Sequence, residues 1–511
     1  MTAATTQDIS TENRRTYEFE VRSLPVEPYY WLPKEVDAKA PVNAKLLRLV
    51  EIVDEAGGDF PSRLAAAEAV AAGIKSAADD GVALRITEHA EDQLGYALPK
   101  LAREQNELRK DPALAGRLWS LVSPMLTNRR PEGVPGKATD RGPRGSATDA
   151  ALRLCTISQE LADRILPIIE PLSHDLNAGV RFEFANHFGC LWEFRRADLW
   201  WIAEQYVSSA TEKAVLNALT GFLCRAIHHD VERVEDLALK LHPRAGDEQD
   251  VHGDSMVEGI ASVITFLWTR YDRPRAHGLI QTWLAEPEMY DTELGRVVAS
   301  MRGHITGGYR SGKTIEVKLR KHFLALAVEI VRRAASCLDD FYARGDTELT
   351  ETERKRVRAC ARLIDQIGDQ LYFSSGAAAQ GNEDVPLAGI QTKRAFLCDV
   401  TPIIRLLGDV AVPHTIYYLI ELLDFLRPAD PETVFDLIAH AVLTGGPRHG
   451  YEFEPMAINR FVTIVGVYLA DHRGIFADPD RREKLIACLD IFVNAGWPTA
   501  RRLLYRLPEL L

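Results

Sequence analysis

QELADRILPIIEPLSHDLNAGVRFEFANHFGCLW, residues 159–192, carries the fold. Gln159 to Leu172 reads as one helix kinked by Pro167, because proline has no N–H to give to the preceding turn. His174-Asp175-Leu176-Asn177-Ala178-Gly179 is polar and small, and reads as a turn. Val180 to Trp192 reads as a second helix, since Val180, Phe184, Phe188 and Leu191 recur at helical spacing on one apolar stripe. A lone helical hairpin of this kind cannot bury both its faces. It needs a neighbour, which predicts a stack of such hairpins.

The same texture runs outward. Leu199 to Val207 and Ala214 to Ile227 form the next pair, and Val231 to Leu241 begins another. The period is roughly 35–45 residues, the size of a two-helix repeat. Ser255 to Tyr271 and Ala276 to Ala285 follow, then Thr314 to Ala343 and Thr350 to Tyr372, a long antiparallel pair joined at Arg344-Gly345-Asp346. Further helices are expected over Arg394 to Leu407, Thr415 to Leu426, Pro431 to Leu443, Pro455 to Leu469, Arg481 to Asn494 and Trp497 to Arg506. Asp430-Pro431-Glu432 and Asp478-Pro479-Asp480 mark helix starts, with a capping carboxylate followed by proline in the first turn. Toward the N-terminus, Leu46, Leu47, Val50, Ile52 and Val53 mark one helix; Leu64 to Ala78, Thr87 to Leu108 and Ala113 to Met125 mark three more. Strand-like alternation is confined to Thr16 to Val21. The expected fold is all-α, an α-solenoid of stacked helical hairpins, irregular at both ends.

Two stretches interrupt the helices. Asn128 to Ser146 holds seven Gly or Pro residues, and five basic residues against two acidic ones, and reads as a flexible linker. Ser374 to Asp384 reads as a second break. The expected regions are 1–127 (N-terminal helices), 128–146 (linker), 147–290 (repeats), 291–375 (long helix pair) and 376–511 (C-terminal repeats).

The composition bounds the function. The 511 residues carry 61 Lys and Arg against 73 Asp and Glu, a net charge of −12, which disfavours generic binding of a phosphate backbone. Met1 to Arg14 lacks the apolar core of a secretory signal, and no apolar run approaches the roughly 20 residues that span a bilayer, so no membrane role is expected. Cys155, Cys190, Cys224, Cys337, Cys360, Cys398 and Cys488 form no CxxC and fall in apolar helical patterns; they read as small buried hydrophobes of a reducing cytoplasm.

The turn Asp175 to Arg181 (DLNAGVR) resembles the intra-repeat turn of HEAT-type repeats. The resemblance implies that Asp175 caps the second helix and that Arg181 pairs with a carboxylate of a neighbouring unit. Gly142 to Ala147 (GPRGSA), Pro413-His414-Thr415, Pro428 to Pro431 (PADP), Gly450 to Glu454 (GYEFE), Tyr468 to Arg473 (YLADHR) and Ala495 to Arg502 (AGWPTARR) resemble the helical-repeat C-terminal region of large bacterial STAND-type ATPases, many associated with anti-phage defence. Those proteins carry an effector and a nucleotide-binding domain ahead of the repeats, where this chain is expected to have about 140 residues of mostly helix. The resemblance therefore implies a recognition arm without the motor, either because the motor is encoded separately or because this is a stand-alone or truncated product.

No catalytic constellation stands out, and neither a cofactor nor a metal is expected. Gly307-Gly308-Tyr309-Arg310-Ser311-Gly312-Lys313-Thr314 fits GxxxxGK[ST], with Gly307, Gly312, Lys313 and Thr314 as the nucleotide-binding candidates. A phosphate loop also requires a strand running into Gly307; Leu294 to Ile305 reads as helix, so an inter-helix loop is the favoured reading. His228-His229 are adjacent and point about 100° apart on a helix, which does not suit a shared metal; Asp230 is read as a cap. His187, His414 and His440 read as core histidines. Trp200 and Trp201 cannot both point inward, which makes them, with the linker's Arg129 and Arg130, candidates for partner binding. The basic runs Lys318 to His322 and Arg354 to Arg358 read as solvated faces, with a phosphate-binding stripe as the alternative.

The expectation is a non-enzymatic recognition or scaffold module that binds another protein, with a separately encoded ATPase or effector as the partner implied by the resemblance. The alternatives are a nucleotide-binding enzyme using Gly307 to Thr314 and a nucleic-acid-binding helical solenoid.

Overall fold

The computed structural model describes residues 40–54, 59–77, 79–127, 142–244, 251–344, 349–379, 386–410, 413–445 and 450–510. Thr16 to Val21, Arg129 and Arg130 lie outside them. The described residues form 22 α-helices and no strand. The chain divides into two compact units, residues 1–225 with 247–256, and residues 226–246 with 257–511.

The helices of the first unit are α1 (Pro41–Asp54), α2 (Phe60–Ser76), α3 (Leu84–Ala102), α4 (Gln105–Lys110), α5 (Pro112–Met125), α6 (Gly142–Leu154), α7 (Gln159–Ile169), α8 (Ala178–His187), α9 (Arg196–Ser209) and α10 (Lys213–Ala226), the last closing at the unit boundary. Here α3 packs on α6, and α6 on α8. Asp59 caps α2 by accepting from the Ser62 N–H at 2.8 Å, and Ser158 caps α7 through the Leu161 N–H. Phe184, Phe188 and Tyr206 are fully buried and meet edge to face, with Phe188 4.6 Å from Phe222. Burying such rings supplies roughly 1.5–3 kcal/mol each.

The second unit begins with α11 (Val231–Leu241). It continues with the greater part of α12 (Val251–Tyr271), then α13 (Pro274–Ala285), α14 (Asp291–Ala299), α15 (Thr314–Ala343), α16 (Glu351–Ser375), α17 (Ile390–Val410), α18 (Pro413–Leu426), α19 (Pro431–Leu443), α20 (Pro455–Asp471), α21 (Pro479–Asn494) and α22 (Pro498–Leu510). The recurrent contact is with the helix two further along the chain: α11 with α13, α14 with α16, α15 with α17, α16 with α18, α17 with α19, α19 with α21 and α20 with α22. Asp430 caps α19, its carboxylate accepting from both the N–H and the hydroxyl of Thr433. Asp478 does the same for α21 through the Asp480 N–H. Thr350 and Glu353 form a reciprocal capping box on α16, which ends at Gly376 in the left-handed conformation, φ 89°.

Several boundaries differ from expectation. The segment expected to be linker is helical from Gly142, where Pro143, Gly145 and Ser146 are buried. The reason is size: Gly145 and Ser146 are small enough for α6 to lie close against its neighbours. The helix expected over Gln159 to Leu172 ends at Ile169 and passes into a 3₁₀ turn, Glu170–His174, just after Pro167 and across Pro171. That expected over Val180 to Trp192 likewise tightens into 3₁₀ at Phe188–Trp192, where Gly189 weakens the α-form. Ser374 and Ser375 belong to α16 and are buried, so the break begins later than Ser374. Cys155, Cys360 and Cys488 are buried, whereas Cys224 and Cys398 are exposed, so the uniform burial expected of the cysteines is corrected.

Candidate functional site

In the turn that resembles HEAT repeats, the capping residue is Asn177. Its side chain accepts from the N–H groups of Gly179 at 2.7 Å and Val180 at 3.3 Å. Asp175 instead accepts from the Asn177 N–H at 2.8 Å and pairs with Arg144. Arg181 donates to the Asp175 carbonyl and pairs with Glu212, just ahead of α10. These contacts order the turn.

The GxxxxGK[ST] segment is an inter-helix loop. Residues 300–311 are turns, with α14 before them and α15 after, and no strand enters Gly307. The groups that would hold a phosphate are turned onto a carboxylate of the chain itself. Glu316 accepts from the Gly308 N–H at 3.1 Å and the Ser311 hydroxyl at 2.5 Å, with the Lys313 ammonium 3.5 Å away. The Ser311 hydrogen bond foremost, then Lys313 and the Gly308 N–H, hold this carboxyl below its usual range. The Gly307 carbonyl accepts from Arg320 at 2.6 Å, and Arg320 stacks 3.7 Å over the Tyr309 ring, whose hydroxyl donates to Asp399 at 2.5 Å. Gly308 has φ 79°, and a Cβ there would meet Val317 Cγ2 at 2.7 Å, so this glycine serves the tight entry into α15.

The first basic run is engaged in the same way. Lys318 binds Asp272 and the Arg270 carbonyl, Arg320 is buried, and His322 Nδ1 lies 2.8 Å from the Thr269 carbonyl. His228 lies 2.7 Å from the Tyr271 hydroxyl, and Asp230 caps α11 through the Arg233 N–H. Neither histidine of that pair belongs to a metal-capable cluster among the described residues. His440 meets Asp409 at 2.9 Å.

Of the two tryptophans, Trp200 is 2% exposed and lies edge-on to Trp192 and Phe222. It is a core residue, which corrects its candidacy for partner binding. Trp201, one residue on, is 46% exposed.

A larger ring surface lies on α16 and α18, where adjacent aromatics occur twice, at Tyr372-Phe373 and Tyr417-Tyr418. Tyr372 is 5.1 Å from Phe373 and 4.8 Å from Tyr418, and Phe373 is 6.0 Å from Tyr418. Tyr418 also meets His414 at 4.8 Å and Tyr417 at 5.6 Å. Phe373 is 42% exposed, the tyrosines are half-buried and His414 is exposed. The Arg302 guanidinium stands 5.2 Å over the Phe373 ring. Below the rings, burial pushes the Asp365 carboxyl up to about 6, with His414 opposing; Asp365 accepts from the Thr415 hydroxyl. The doubled aromatics were the signal in the sequence: on a helix, adjacent residues cannot both face the core.

The other missed group is in the first unit. Asp149 on α6, and Glu183 and His187 on α8, offer one ligand atom each, all within 4.8 Å of one another. His187 Nε2 lies 3.4 Å from Asp149 Oδ2 and 3.4 Å from Glu183 Oε2. Arg153 Nε donates to the other Asp149 oxygen at 2.5 Å, and Arg153 Nη2 is 3.3 Å from His187 Nδ1. The signal was the one-turn spacing of Glu183 and His187, and of Asp149 and Arg153, which puts each pair on one helical face.

No protein-family model and no curated protein matches the chain.

Proposed function

We propose that the chain is a helical-repeat scaffold that binds another protein, and that the aromatic surface of α16 and α18 is its main contact. Recurrent contact with the helix two further along supports a repeat stack within the second unit, and stacks of that kind expose extended surface suited to a partner. The single observation that carries the reading is the cluster of Tyr372, Phe373, His414, Tyr417 and Tyr418, in which the other four rings all meet Tyr418 and Phe373 is 42% exposed. Rigid aromatic groups gathered at a surface are what protein interfaces use as anchors, because they bury much area at little entropic cost. Arg302, stacked on Phe373, adds a donor at the same place. A separately encoded ATPase or effector is the partner class favoured by the resemblance of Gly142 to Ala147 and of the C-terminal segments to STAND-type repeats, which would make this chain a sensor arm.

The test is co-purification. The double variant Phe373→Ser/Tyr418→Ala is compared with wild type and with Trp201→Ala for the proteins each retains, after circular dichroism has shown equal melting. Loss of one retained ATPase or effector in the double variant supports the reading. Equal capture by all three, or salt-sensitive binding of DNA by the purified wild type, overturns it.

A further inference from the structure

We propose that Asp149, Glu183 and His187 form a binding site for a first-row divalent cation, with Zn²⁺ preferred, that clamps α6 to α8. Both ligands of α8 stand one turn apart on the face that meets α6, so the site is built on two packed helices, which hold ligands more accurately than loops do. Gly145, one turn before Asp149, makes room on α6: a Cβ there would already touch Glu183 Cγ at 3.4 Å.

The spacing fits a cation better than a proton. Ligand atoms bound at about 2.1 Å in a tetrahedron stand about 3.4 Å apart. His187 Nε2 stands 3.4 Å from each of the two carboxylate oxygens. A charged imidazole donating to those oxygens would draw them to about 2.7–2.9 Å.

A second observation points the same way. The Asp149 side chain is 1% exposed, and its Oδ2 accepts no hydrogen bond although it is aimed into the cluster. A buried carboxylate oxygen without a donor is costly, and a bound cation would offset that cost. The His187 side chain, 15% exposed, opens one edge of the site to solvent, through which the ion enters and a water ligand completes its shell.

Two groups oppose binding: Asn186 Nδ2 lies 3.4 Å from His187 Nε2, the ligand atom itself, and Arg153 Nη2 lies 3.3 Å from Nδ1. An imidazole bound to metal through Nε2 carries its hydrogen on Nδ1, and that hydrogen would face the guanidinium, itself only a donor. Loading the site therefore swings the Arg153 terminal nitrogen away from His187 while its Nε stays on Asp149. Arg153 sets the affinity; it is not a ligand.

The probe is Zn²⁺ itself, titrated calorimetrically into the full chain after chelator treatment and dialysis, with melting followed in parallel. Co²⁺ serves as an optical reporter of tetrahedral geometry. Wild type is expected to bind with a Kd at least tenfold lower than His187→Gln and to gain thermal stability that the variant does not. Asp149→Asn is expected to behave like His187→Gln. Because Asp149 is buried and its variant can fail to fold, the partly exposed His187 carries the decision. Arg153→Gln is expected to bind at least as tightly as wild type. Equal Zn²⁺ affinity in wild type and His187→Gln, meaning adventitious ions only, overturns the proposal. So does a loss of binding in Arg153→Gln equal to that in His187→Gln, which would reduce the cluster to an ordinary ion-pair network.

Discussion

Gly95 on α3 lies against Pro143 on α6 so closely that a Cβ at residue 95 would stand 2.9 Å from the Pro143 Cα. The obstacle is backbone, which cannot turn aside as a side chain can. Gly95→Ala is therefore expected to force α3 and α6 apart and lower stability by about 1–3 kcal/mol. Gly116 on α5 is the control. A Cβ there meets nothing within 4 Å, so Gly116→Ala is expected to raise stability by about 0.5–1 kcal/mol. Denaturant midpoints of the two variants, moving in opposite directions, check both.

Trp200 and Trp201 separate packing from recognition. Trp200 is 2% exposed among rings, so Trp200→Ala is expected to cost about 3–5 kcal/mol. Trp201 is 46% exposed, and Trp201→Ala is expected to cost about 1 kcal/mol or less. A thermal melt of each variant distinguishes them; equal losses would mean that both rings are core.

Asp365 gives the second unit a pH dependence of known sign. Burial raises its carboxyl to about 6, helped by Asp369 and opposed by His414, whereas an unfolded aspartate titrates near about 3.9. Between about pH 4 and 6 the folded chain holds the proton and the unfolded chain does not. This contribution to stability is thus full below about pH 4 and is lost as pH rises through about 6. Asp365→Asn keeps an acceptor for Thr415 and removes the titration. Its stability relative to wild type is expected to climb from pH 4 to 6 and then level off. A pH-independent difference between the two would contradict this.

Glu316 already occupies the donors of the GxxxxGK[ST] loop. Lys313→Ala is accordingly expected to leave the response to ATP and Mg²⁺ in a thermal-shift assay unchanged. ATP-dependent stabilisation that disappears in the variant would restore the nucleotide-binding reading.

Asp430→Ala is expected to destabilise α19 by about 1 kcal/mol, through loss of the bonds from the Thr433 N–H and hydroxyl. Chemical denaturation measures it, and Thr433→Val should remove part of the same effect.

The helical class was legible because apolar residues recur at 3.6-residue spacing nearly throughout, and the start of α15 at Thr314 was read to the residue. The caps of α19 and α21 were legible too, since Asp-Pro is a local signal whose chemistry lies within a few residues. Gly142 to Ser146 was misread for the opposite reason. Glycine and proline signal a break locally, whereas Pro143 is buried against Gly95, some fifty residues earlier, and Gly145 against Glu183 of α8. Ring surface and carboxylate–imidazole cluster alike depend on which two helices meet. Tyr372 with Tyr418, and Asp149 with His187, are long-range pairs that no periodicity within one helix reveals. The phosphate-loop letters show the converse: a pattern present in full, and a context that gives it another use.

The contact of α14 to α17, and of α19 and α20, with the helix two places further along has a consequence for how the second unit fails. Cooperativity is then short-ranged, because a loosened helix withdraws support only from its immediate companions. Injury at α21 should cost α19 and α22 before anything near α14 responds. Heating is then expected to erode protection against hydrogen exchange progressively from α22 inward, instead of abolishing it everywhere at one temperature.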